Sequence, residues 1–165
     1  MITIRRDDPV SPAAAALIAH HLAEARAATP AGNAHAADGA GLADPAVTFW
    51  TAWDGNALAG MVALKQLDPQ HGPHLGPRHG EVKSMRTHPD HLRRGVGRAL
   101  LAHLLAVARA RGYTRVSLET GTAPMFAAAN RLYEAAGFVD GPVFGGYPPS
   151  PHNRFMTMAL DAPRR

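Results

Sequence analysis

His91-Leu92-Arg93-Arg94-Gly95-Val96-Gly97-Arg98-Ala99-Leu100-Leu101 is the stretch that decides how this chain is read. It joins a strand-like run, Glu81–Thr87, to an apolar stripe at helical spacing: Val96, Leu100, Leu104 and Val107, widened by Leu101 and Leu105. Strand, glycine-containing loop, helix is the arrangement that holds a phosphate. Free backbone N–H groups point out of a helix start, and the helix dipole favours an anion there. Gly95 and Gly97 let a ligand approach the backbone, and Arg93, Arg94 and Arg98 add charge-assisted donors. A dinucleotide fingerprint would need a third glycine, but position 100 is Leu; a Gly-Lys-Ser/Thr phosphate loop does not occur. The bland alternative is a helix start with arginines on a solvated face.

Outward from the loop, the spacing predicts a helix from about Leu92 to Arg111, ended by Gly112. A strand follows over Tyr113–Thr120, then a helix over Pro124–Ala136 closed by Gly137, then strands over Val139–Val143 and Phe155–Leu160. Before the loop, Ile2–Arg6 reads as a strand, and Ser11-Pro12 opens a helix that runs to about Ala28. Residues 30–46 read as a loop or loose second helix. Val47–Trp53 and Leu58–Leu67 form a hairpin about Asp54-Gly55-Asn56. The Gly/Pro-rich residues 68–80, with an apparent local duplication, read as an irregular lengthened loop. The order implies an α/β domain, in the α+β sense of a mixed, partly antiparallel sheet, over residues 1–165.

Bulk composition narrows the function classes. The chain has 165 residues, 46% hydrophobic and 18% charged, which suits one globular domain with a real core. No apolar run reaches the ~20 residues of a membrane span, and the first residues do not read as a signal peptide. There is no cysteine, which fits the cytosol and excludes an acyl-cysteine route. The net charge of +4 suits a small polyphosphate ligand; without charge runs or aromatic–basic interleaving, nucleic acid is the weaker partner. The ten histidines show no zinc-type pairing, so no metal is assigned; His71, His74 and His79 are placed in the irregular loop, where only adventitious metal is expected.

Two segments carry a resemblance. His91–Leu101 resembles motif A of the GCN5-related N-acetyltransferases, and Asn130-Arg131-Leu132-Tyr133-Glu134-Ala135-Ala136-Gly137-Phe138 resembles motif B, at the family's separation with a strand between. The likeness extends from about Phe49 to Leu160 and is to a bacterial branch whose substrates are mostly unassigned. Leu92 departs from the pattern, standing where Gln or Arg is usual. The resemblance implies a mostly antiparallel sheet with splayed parallel central strands, flanked by helices, and acetyl-CoA as co-substrate. It implies that Arg93, Arg94, Gly95, Val96, Gly97 and Arg98 hold the pyrophosphate. The backbone around Met85, Arg86 and Thr87 would meet the pantetheine amides, and Asn130 would touch the same arm. It also implies that the Tyr133 hydroxyl points at the sulfur.

Acetyl transfer to an amine needs a proton acceptor, a donor to the oxyanion and a proton for the leaving thiolate. Without cysteine, direct attack in a ternary complex is expected. Glu81, fourteen residues before Gly95, resembles in spacing the base of the histone-acetylating members; otherwise it is a surface-paired strand residue. Tyr133 is the candidate acid, or else a core anchor on one face with Phe126. The Met85 N–H is a candidate oxyanion donor. Glu119 and Thr120 end a strand where α/β sheets border ligands, and Arg154, Tyr147 and His35 are weaker acceptor-site candidates. A CoA-binding sensor without turnover is the alternative function. The acceptor is not encoded in the irregular segments, and a homodimer through the last strands is one arrangement among several.

Overall fold

The computed structural model describes residues 1–69, 75–76 and 78–161. Eleven regular segments follow in chain order: β1 (Ile2–Arg6), α1 (Pro12–Ala28), α2 (Gly39–Leu42), β2 (Val47–Asp54), β3 (Ala57–Leu67), β4 (His79–Thr87), α3 (Val96–Ala110), β5 (Arg115–Gly121), α4 (Ala127–Ala136), β6 (Val139–Asp140) and β7 (Asn153–Ala159). Single 3₁₀ turns, Pro89–His91 and Pro124–Phe126, precede α3 and α4. The strands form one sheet in the order β1-β2-β3-β4-β5-β7-β6. All neighbours are antiparallel except β4 and β5 at the centre. This is the mixed α/β sheet that the order of elements implied.

Both faces of the sheet are covered, which is why β2 and β3 are buried on successive residues rather than alternate ones. On one face Trp50, Val62, Leu64, Val116 and Leu118 pack against Leu100, Leu101 and Leu104 of α3 and Tyr133 of α4. On the other, Phe49, Met61 and Ala63 pack against Leu17 and Ile18 of α1 and Leu42 of α2. A third cluster, Leu67, Leu75, Phe144 and Phe155, anchors the segment between β6 and β7, with Tyr147 packed on it.

Several boundaries differ from the sequence-based expectation, each for a physical reason. Helix α3 starts at Val96 rather than Leu92 because Arg93 and Gly95 take left-handed backbone, φ +60° and +79°. His79 and Gly80 are strand, not loop: they pair with Leu67 and Gln66 on one side and with Arg115 and Val116 on the other. Tertiary pairing there overrides a Gly/Pro-rich context. The strand expected over Val139–Val143 shrinks to two residues. In residues 30–46 the helical part is one turn, capped by the Asp38 side chain accepting from Gly41 N–H. Of the apparent duplication, His71–Pro73 and Pro77 lie outside the described residues, as does His74.

Candidate active site

The site is built where the two central strands part. β4 and β5 pair in parallel only over His79–Glu81 and Arg115–Ser117. β4 then runs on to Thr87 and β5 to Gly121 with no ladder between them. At the parting β4 carries an extra residue: Met61 faces Arg86, but Ala63 faces Lys83. Ser84 sits in this bulge at φ +52°, a conformation that L-residues rarely adopt. Splay and bulge together leave backbone polar groups of β4 available to a ligand.

The helix start closes one end of this opening. The first helical bond of α3 is Ala99 N–H to Gly95 O, so the N–H groups of Val96, Gly97 and Arg98 lack intrahelical acceptors. Arg93, Arg94 and Arg98 are exposed, and Arg94 lies 3.9 Å from Asp54. Free N–H groups, a positive dipole end and three guanidinium groups fit a pyrophosphate by donor chemistry alone. The two glycines differ. Gly95 is open all round and is needed for its φ. A side chain on Gly97 would come within 3.1 Å of Leu132, so its smallness serves the packing of α3 on α4. Leu92, where the motif usually has Gln or Arg, is 58% exposed. Met85 and Thr87 lie on the splayed part of β4, and the Arg86 side chain bonds Glu24 and His20 of α1.

Adjoining the splay is a cavity of about 100 Å³, lined among others by Glu81, Glu119, Lys83, Tyr133 and Tyr147. Glu81 is only 3% exposed. The Tyr147 hydroxyl donates to its Oε2 at 2.6 Å, and Lys83 Nζ donates to the Tyr147 hydroxyl at 2.8 Å and lies 3.6 Å from the same carboxylate oxygen. Glu119 is more weakly held, by the Asn153 amide at 3.4 Å. Burial, with the Glu81 charge adding, pushes its carboxyl up to about 7. Tyr133 is buried against Phe138, and burial pushes its hydroxyl up, so it holds its proton. Tyr147 is pushed up by burial and by Glu81.

Of the residues singled out from sequence, the structure brings Glu81, Met85, Glu119, Thr120, Tyr133, Tyr147 and His35 to this cavity. Asn130 is committed to the protein: it accepts from Thr120 Oγ1 at 2.8 Å and donates to Gly121 O at 3.0 Å, tying α4 to the end of β5. Arg154 does not line the cavity; it pairs with Asp140 at 2.6 Å and Glu134 at 2.8 Å. His79 is not on an irregular loop but buried, with Nε2 2.7 Å from Ser117 Oγ. Sequence reasoning missed Lys83, Ser84 and His21 as cavity residues. The hydroxyl of Ser84 and Nδ1 of His21 are buried without a partner, and burial followed by Arg86 pushes His21 down to about 4, leaving it neutral. No local signal marks these residues; only the bulge and the packing of α1 bring them here. Among the described residues no cluster could hold a metal ion, and no helix is long and apolar enough to cross a membrane.

Comparison with known proteins places this geometry. Residues 15–138 match the model of the acetyltransferase (GNAT) family. The uncharacterized N-acetyltransferase YedL of Escherichia coli strain K12 is 45% identical over 160 residues, 97% of this chain and 96% of that one. A Klebsiella pneumoniae protein assigned as an acyl-CoA N-acyltransferase superposes with a TM-score of 0.76 at 27% identity, covering 98% of this chain and 99% of its own. A Salmonella typhimurium protein assigned as an acetyltransferase, solved with its cofactor acetyl-CoA, shares the fold with a TM-score of 0.69 at 22% identity, covering 97% of this chain and 94% of its own.

Proposed function

The chain is an acyltransferase of the acetyltransferase (GNAT) family, and from that premise we propose that it transfers acetyl from acetyl-CoA to a primary amine by direct attack. The observation that carries this reading is one opening bordered by two chemistries. At one end are the free N–H groups of Val96–Arg98 with their arginines; beside it is a cavity holding two carboxylates and a buried phenol. Acetyl-CoA would supply the thioester. Val96, Gly97, Arg98, Arg93 and Arg94 would hold its pyrophosphate, and the splayed backbone at Met85 and Thr87 its pantetheine.

The proton chemistry falls to three side chains. Glu119 takes the proton of the acceptor ammonium, because its carboxyl, pushed up to about 7, has a proton affinity matched to the task. Glu81 contributes its charge, which raises Glu119, and is kept oriented by Tyr147 and Lys83. The Tyr133 hydroxyl keeps its proton by burial and is the donor to a departing sulfur. The nitrogen's second proton, shed as the tetrahedral adduct collapses to the amide, restores the Tyr133 hydroxyl, and Glu119 releases the first to solvent, so one proton leaves the site per amide formed.

The test is thiol release from acetyl-CoA with a panel of polyamines, aminoglycosides, amino acids and peptides. Release with at least one class is expected, together with a fall in kcat of about 10- to 100-fold for Tyr133→Phe at nearly unchanged CoA affinity. CoA binding in calorimetry with no release from any acceptor would favour a sensor without turnover.

A further inference from the structure

We propose that the acceptor amine bears no carboxylate on the carbon that carries the reacting nitrogen. The inference deepens the acetyl-transfer reading and rests on it. Glu81 and Glu119 both line the acceptor cavity. Lys83 is the one Lys or Arg among the described residues lining it, and it is already engaged by Glu81 and by the Tyr147 hydroxyl. Arg86, three residues further along β4, is committed to Glu24. His21, on the α1 wall, is held neutral by its burial and by Arg86. An ammonium entering this cavity therefore meets carboxylates whose charge exceeds that of the available cations. An α-amino acid would bring a third carboxylate beside them, with no unengaged Lys or Arg on the described walls to receive it.

The cost of that repulsion sets the expected effect. Like charges some 5 Å apart in a partly buried site disfavour binding by on the order of 100-fold, and solvent at the mouth reduces this to at least about tenfold. Amines without the carboxylate, or amino acids whose carboxylate is masked as an amide, escape it. Polyamines, aminoglycosides, peptide amino termini and lysine side chains all satisfy the rule; free α-amino acids do not.

Matched acceptors test the proposal in the full-length protein with acetyl-CoA, by thiol release at pH 8.5, where imidazole is ordinarily neutral. Agmatine, histamine and tyramine are compared with arginine, histidine and tyrosine, and with the three amino-acid amides. The expected result is a kcat/KM for amine and amide at least about tenfold above that of the parent amino acid, with most of the difference in KM. Equal or better turnover of the amino acids overturns the proposal while leaving acetyl transfer intact. Release from none of these or of the wider panel, with acetyl-CoA binding preserved, overturns the acetyl-transfer reading and this inference with it.

Discussion

The two ends of the β4–β5 seam use the same pair of strands for opposite purposes. At the paired end, His79, Ser117 and Thr157 form a buried chain, with Nε2 2.7 Å from Ser117 Oγ and Ser117 Oγ 2.9 Å from Thr157 Oγ1. At the splayed end, a few residues along, Ser84 has left-handed backbone and a buried, unpartnered hydroxyl, and Glu119 is held well above its ordinary range. The first end satisfies its polar groups within the protein. The second leaves the Ser84 hydroxyl without a partner and Glu119 with one long bond. Strand parting thus ends the ladder and leaves β4 backbone unpaired on its β5 side, the surface proposed above for the pantetheine.

The sharpest way to break this contrast is Glu119→Gln. Loss of about 10²- to 10³-fold in kcat/KM is expected at pH 8, with CoA affinity preserved in calorimetry. Wild-type activity should rise with pH through about 7, since the carboxylate is the active form, and the variant should lack that rise. Glu81→Gln should move the rise to lower pH, because the Glu81 charge helps hold Glu119 up. A carboxyl raised in the folded state adds stability below its unfolded value, which is lost as pH climbs through 7. Glu119→Gln should therefore melt about 2–4 °C above wild type at pH 8, for about 1 kcal/mol, and converge with it near pH 4.5.

The paired end should respond in the reverse sense. His79→Ala removes a buried hydrogen-bonded ring and should cost about 2–3 kcal/mol in urea unfolding, while acetyl transfer by the folded fraction changes little. A large loss of kcat with normal stability would erase the distinction between the two ends. The smallest effect is expected at Ser84→Gly. Relief of the left-handed backbone, about 1–2 kcal/mol, is offset by glycine's chain entropy, about 0.5–1 kcal/mol. A net rise in Tm of no more than about 4 °C should result. A clear fall in Tm would show that the Ser84 hydroxyl is paired in solution.

Periodicity carried far in this chain. The α3 stripe, the stop at Gly112 and the mixed element order were legible because helix and strand place apolar side chains by local repeat. The phosphate-type loop was legible because its donors are consecutive backbone groups. The cavity beside the splay was only half legible. Glu81 and Tyr133 stand in recognisable patterns, but Tyr147 joins Glu81 across 66 residues, and no local rule predicts that bond. Glu119, a strand-end carboxylate in the sequence, has its carboxyl pushed up by burial in the folded protein. Its surroundings come from β4 and from Asn153 of β7.

Local sequence was enough for the α/β order, the resemblance to a family and the glycine-containing helix start with its free backbone donors, since each rests on residues adjacent along the chain. Tertiary packing set where β4 and β5 part, that Glu81 is tightly bonded and Glu119 held by one long bond, and that Arg154 and Asn130 are committed to internal bonds. The reason is physical. Backbone donors are fixed by local dihedral angles, but charge and proton affinity depend on neighbours and burial, which exist only once distant strands are brought together.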